Sequence, residues 1–235
     1  METVASAIAI KAPDGQMSGH LVRPAAPRRY PAVLVIMEAF GLNDHIKGVA
    51  ARVATQGYAA LAPDVYYREK NNVVAYDQLP DAIRLMSRLA DDKIAADISA
   101  AVQYLQSQDF VRADRIGIMG FCMGGRISFL SACRIPGIAA SVPFYGGGIG
   151  ALLGEASNIQ CPMLLFFGGQ DAYIPNDEVA RIEKALSELG KRAEVKLYPD
   201  APHGFFCDER DSYRADTARD AWKHLNAFLA EHLQS

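Results

Sequence analysis

Cys122 stands in the stretch Gly120-Phe121-Cys122-Met123-Gly124, which follows an apolar run and is followed by a second glycine, Gly125. A reactive residue between glycines, where a strand reverses into a helix, is a nucleophile elbow. The nucleophile is held in a strained turn, and a Cβ on either neighbour would crowd it. Backbone N–H groups at the start of the helix favour negative charge on the sulfur. Downstream come Asp171 in "GGQDAYIP" and His203 in "PDAPHGFF". Nucleophile, acid and histidine in that chain order can carry acyl transfer. Cys122 would attack an acyl carbon as the thiolate. His203 would stabilise the thiolate as imidazolium, then protonate the leaving group or activate water, and Asp171 would fix the ring's tautomer. Met123 N–H and one from near Ala39 or Phe40 would hold the oxyanion. Glu38, directly after "AVLVIM", either caps the next helix or joins the chemistry.

These side chains act together only if the fold gathers them. The N-terminal stretch "SAIAIKAPDGQMSGHLVRP" alternates apolar and polar residues around Asp14-Gly15, which predicts an antiparallel hairpin. Beyond it lie apolar runs at Ala32–Met37, Tyr58–Ala62, Arg115–Met119, Ala139–Phe144, Pro162–Phe167 and Glu194–Tyr198. Continuous apolar runs suit parallel strands covered on both faces. Between them the period changes. Ile94, Ile98, Val102 and Leu105 share a helical face, as do Val179, Ile182, Leu186 and Leu189, and again Trp222, Leu225, Leu229 and Leu233. Asn176 is placed to cap the second of these helices and Gly190 to end it, while the helix after the elbow is expected near Arg126. The fold class is therefore α/β, one domain over residues 1–235. It is a mostly parallel, doubly wound sheet flanked by helices, with an N-terminal hairpin. In such a sheet reactive groups gather at the carboxyl ends of the strands, where Glu38, Cys122, Asp171 and His203 all fall.

Composition narrows the partners. The chain has 235 residues, half of them hydrophobic, and a formal net charge of −3 with both signs dispersed. That argues against a nucleic-acid or membrane-surface partner. Four cysteines without C-x-x-C spacing provide neither a zinc framework nor a disulfide scaffold. The N-terminus carries no signal-peptide pattern and no apolar stretch is long enough to span a bilayer, so the expectation is a cytoplasmic protein, monomeric or a small homo-oligomer. Cys133 and Cys161 read as core residues, and His20, His45, His224 and His232 as structural or surface ones. The Gly146–Ala151 stretch "GGGIGA" matches a dinucleotide pattern but lies late in the sheet before a broken helix, and reads as a flexible loop.

At these residues the chain resembles the dienelactone hydrolase (carboxymethylenebutenolidase) family of the α/β-hydrolase superfamily. The pieces that carry the likeness are "MEAFGLN", "GYAALAPDVYYR", "GFCMGGR", "GGQDAYIP" and "PHGFF", in family order across nearly the whole chain. The resemblance implies the α/β-hydrolase fold and a triad of Cys122, Asp171 and His203. Glu38 would be a switch that takes the thiol proton when substrate arrives, with Ala39 and Met123 as oxyanion donors. It implies ring opening of an enol lactone in the breakdown of catechol-type aromatics, with no metal or organic cofactor. Family members also grip a substrate carboxylate with two arginines. After His203 this chain has Phe206, Cys207 and Asp208, and its next arginine is Arg210; Arg84 and Arg88 lie near the other position, and Arg126 follows the elbow. A broader ester or thioester hydrolase, a non-catalytic small-acid-binding protein and a redox pair of Cys122 with Cys207 stand as alternatives.

Overall fold

In the computed structural model, which describes residues 1–234, strands β1 (Thr3–Ala12) and β2 (Gly15–Pro24) pair antiparallel through a tight turn at Pro13 and Asp14. Gly15, at φ 143°, opens the second strand in a conformation that a side chain would resist. The sheet continues through β3 (Tyr30–Ile36), β4 (Ala59–Pro63), β5 (Val111–Phe121), β6 (Ile138–Phe144), β7 (Met163–Gly168) and β8 (Ala193–Tyr198). Its spatial order is β1-β2-β4-β3-β5-β6-β7-β8, with β2 antiparallel to β4 and every later pairing parallel. The expected strands are all present, and most bounds move by one or two residues. β5 begins four residues early, because Val111 pairs with Tyr30 across a register shift before the apolar run starts.

All seven residues of β3 are buried, as are all six of β7, which explains why these strands read as unbroken apolar runs. Each Val, Leu or Ile so enclosed contributes about 1.5–3 kcal/mol relative to exposure. The helices α1 (Asp44–Thr55), α2 (Leu79–Met86), α3 (Asp91–Gln106), α4 (Met123–Arg134), α5 (Asn176–Glu188) and α6 (Ala215–Leu229) alternate with the strands, and a π-helical turn follows at Ala230–Gln234. From β3 the chain winds first to β4 on one side and then to β5 on the other. That reversal opens a crevice beyond the carboxyl ends of β3 and β5.

Four local expectations need correction. α4 starts at Met123, three residues before Arg126, because its two glycines serve as the first turn. Pro175, not Asn176, is the N-cap of α5, and the Asn176 amide instead donates to the Gly169 carbonyl at 3.2 Å. Leu189 is 43 % exposed, since α5 ends at Glu188 and Gly190 turns away at φ 63°. The Gly-rich stretch leads into a 3₁₀ segment, Ile149–Asn158, rather than a loose loop. Among the described residues no helix is long and apolar enough to cross a membrane.

Candidate active site

β5 delivers Cys122 to the crevice at φ 54° and ψ −116°, a left-handed conformation that costs a non-glycine residue of order 1–3 kcal/mol. The surroundings enforce it. Cys122 N–H donates to Phe144 O at 3.0 Å, and Cys122 O accepts from Gly125 N and Arg126 N at 3.0 and 3.2 Å. A Cβ on Gly120 would stand 2.3 Å from Gly124 O, and one on Gly124 only 2.4 Å from Ile36 O. A Cβ on Gly125 would meet Phe144 O at 2.4 Å. The glycines thus do more than clear space around the thiol: they let α4 touch the backbones of β3 and β6.

Asp171 and His203 arrive on two loops pressed together in the same manner. A Cβ on Gly168 or Gly169 would collide with the backbone of Ala201 or Pro199, at 2.3 and 2.5 Å. Asp171 is buried, and both carboxylate oxygens are engaged. Oδ1 accepts from Tyr173 N and Ile174 N at 2.8 and 3.2 Å, and Oδ2 lies 2.7 Å from His203 Nδ1. A carboxylate only accepts, so Nδ1 carries the hydrogen and Nε2 is left to face the thiol. The rings of Tyr145 and Tyr173 flank the imidazole edge-on, each 5.1 Å away. Burial alone would pull the His203 pKa down. Hydrogen bonding to Asp171 and to Cys122 outweighs it and raises the pKa to about 10.

Glu38 is completely buried and caps nothing; the cap of α1 is Asn43, whose Oδ1 accepts from Ile46 N at 3.1 Å. Arg210 Nη1 approaches Glu38 Oε1 at 3.3 Å, while among the described residues Oε2 has no hydrogen-bond partner. The Arg210 guanidinium also rests over the rings of Phe40 and Tyr76. Tyr66 hydroxyl sits 3.1 Å from Ala39 O and 3.2 Å from Met123 Sδ, tying the loop after β3 to the start of α4. Asp64 in turn accepts from Tyr66 N at 3.0 Å and fixes that tyrosine. As the first residue of α4, Met123 has an N–H with no intrahelical acceptor.

Cys122, Met123, Ala39, His203, Arg126 and Arg210 all line one cavity of about 590 Å³. The four arginines separate cleanly. Arg210 reaches the cavity despite its offset from His203. Arg126 lines it too, but both its terminal nitrogens bind Asp91, at 2.6 and 2.9 Å. Arg84 and Arg88 are outside it, paired with Asp81 and Glu69. Cys207 is buried with its sulfur 3.2 Å from Tyr76 hydroxyl, and burial pushes its pKa to about 12. All four cysteines are free. Tyr66, Tyr145 and Tyr173 carry no spacing signal that separates them from ordinary core aromatics. Among the described residues no group of His, Cys, Asp and Glu is arranged to hold a metal ion.

The sequence model of the dienelactone hydrolase family matches residues 17–233. The chain belongs to that family. A Synechocystis sp. protein named "Putative carboxymethylenebutenolidase" is 36 % identical over 231 residues, covering 93 % of each chain. A Bradyrhizobium sp. protein named "Probable 2-oxo-3-(5-oxofuran-2-ylidene)propanoate lactonase" is 34 % identical, covering 91 % of this chain and 89 % of its own. The crystal structure of a "Putative Dienelactone Hydrolase" from Klebsiella pneumoniae superposes with a TM-score of 0.92 at 32 % identity, covering 98 % of this chain and 99 % of that one. This member of the dienelactone hydrolase family is thus an enzyme of the ester- and lactone-hydrolysing kind.

Proposed function

We propose that the protein is a cysteine-dependent hydrolase that opens a small enol lactone or ester through an acyl-thioenzyme. The observation that carries this reading is the line from Asp171 through His203 to Cys122, with a 2.7 Å carboxylate contact at one end and a strained elbow at the other. The Cys122 sulfur attacks the acyl carbon, and the carbonyl oxygen moves onto Met123 N–H and Ala39 N–H. His203 enters the step as imidazolium, so when the acyl C–O bond breaks the leaving oxygen takes its Nε2 proton and the ring is left neutral. Water then attacks the thioester, giving its proton to His203, and the sulfur departs to leave the free acid. Glu38, one of whose oxygens has no hydrogen-bond partner among the described residues, serves as the acceptor for the thiol proton when substrate enters and returns it to the sulfur after turnover, while Arg210 steadies its other oxygen. No step calls for a metal or organic cofactor.

Cys122→Ala should lower kcat for a dienelactone or an activated ester by at least about 10³-fold with the fold unchanged, since members of such a set act as a unit. Ultraviolet loss of the conjugated lactone, compared in wild type and variant, measures this. Equal rates in the two proteins would remove Cys122 from the mechanism. A second reading, a broader ester hydrolase, draws support from the size of the cavity, which lies mid-range for pockets that take drug-sized ligands.

A further inference from the structure

Helix α2 has two apolar faces. Ala82 and Leu85 are buried beneath it, whereas Leu79, Ile83 and Met86 are 39 %, 50 % and 38 % exposed and all three line the cavity that holds Cys122. Their i, i+4, i+7 spacing makes them one stripe. Leu89, Ile94 and Ile127 extend the same apolar lining. The cations facing that space are already matched, Arg126 by Asp91 and Arg210 by Glu38.

Direction follows from the sheet order. His203 and Tyr173 enter from the β7–β8 side, whereas Leu85 and Leu89 share a smaller cavity with Val65 and Tyr66, which follow β4. The leaving oxygen must face His203, which protonates it. The acyl part then projects the other way, onto α2.

Building on the reading of Cys122 as nucleophile, we infer that this enzyme prefers esters with an uncharged, apolar acyl chain of medium length, seated on Leu79, Ile83 and Met86. The stripe is a specificity determinant, and the substrate is what covers it.

The test is a series of p-nitrophenyl esters from acetate to octanoate, in which only the acyl chain changes. Full burial of one methylene is worth about fourfold. In wild type, kcat/KM should rise at least tenfold between butyrate and octanoate. The double variant Ile83→Asn/Met86→Gln, with its fold checked by circular dichroism, should lose most of that rise, through KM more than kcat. Calorimetric titration of the inert Cys122→Ala protein should show octanoate ester binding tighter than acetate ester by a comparable factor. A flat or falling series in wild type, together with equal binding of the two esters, overturns the inference while Cys122-dependent acetate hydrolysis would leave the proposed reaction standing. Hydrolysis that persists in Cys122→Ala fails the reaction instead.

Discussion

Two buried carboxylates each hold a side chain that lines the cavity of Cys122, Asp171 gripping His203 and Glu38 meeting Arg210, and they are treated very differently. Asp171 has both oxygens occupied, by two backbone N–H groups and by His203 at 2.7 Å. Glu38 has one oxygen 3.3 Å from Arg210 and the other without a partner among the described residues. An unsatisfied buried oxygen is expensive, at roughly 1–3 kcal/mol or more for a charged group, so the two carboxylates cannot be doing the same job. The saturated carboxylate is built to hold a neighbour still. On the proposed mechanism the unsaturated one receives the thiol proton.

The sharpest way to break this contrast is Asp171→Asn. It removes the charge that orients His203, and kcat should fall by about 10³–10⁴-fold while the shape of the site is kept. A loss below tenfold would mean that Asp171 only braces its loop. Glu38→Gln should cost less, about 10²-fold in kcat, because it removes a proton acceptor but leaves the line from Asp171 to the sulfur intact. The informative readout is pH. If Glu38 receives the thiol proton, raising the pH should recover part of the lost rate in Glu38→Gln as the thiol ionises unaided. A loss that stays constant across pH would assign Glu38 a packing role.

The smallest effect lies in stability. His203 has its folded pKa raised to about 10 from a usual 6.5. Such a group stabilises the fold fully below about pH 6.5, and that contribution drains away as the pH climbs through 10. The wild-type Tm should therefore decline between pH 6.5 and 10 by several degrees more than that of Asp171→Asn, where the first of the raising influences is gone. Parallel curves for the two proteins would show that the pair contributes nothing measurable to folding.

How much of this could be read from residues alone differs between the same two carboxylates. Asp171, His203 and Cys122 follow strand-like runs and sit among glycines, so periodicity and turn chemistry locate them. Glu38 was equally visible as a strand-end residue, but its choice between cap and chemistry waits on Asn43, which takes the capping role five residues later. Arg210 lies in an irregular stretch where spacing says little about reach, and only the fold brings it back over Glu38. Arg84 and Arg88 are suggested by their place ahead of the long helix α3, yet Arg84 on α2 pairs with Asp81 and Arg88, just past α2, pairs with Glu69, both outside the cavity. The stripe Leu79, Ile83, Met86 is not legible in the sequence for a related reason. Its spacing is that of any amphipathic helix, and a face lining a pocket has the same signature as one lining a core. The early start of α4 was hidden because Gly124 and Gly125 have poor helix propensity, a preference overridden by the close packing that only they permit.

The elbow is held almost entirely by peptide groups touching peptide groups, from Gly120 against Gly124 to Gly125 against Phe144. Side chains scarcely enter those contacts, so substitutions elsewhere in the cavity have little hold on where the sulfur stands. On the proposed reading of α2 as the acyl seat, its outward face can drift in size and polarity, and the substrate range with it, while Cys122 stays where it is. A library confined to three positions on one short helix would sample new substrates from a fixed reactive centre, and the glycines are the reason that such a division of labour can evolve.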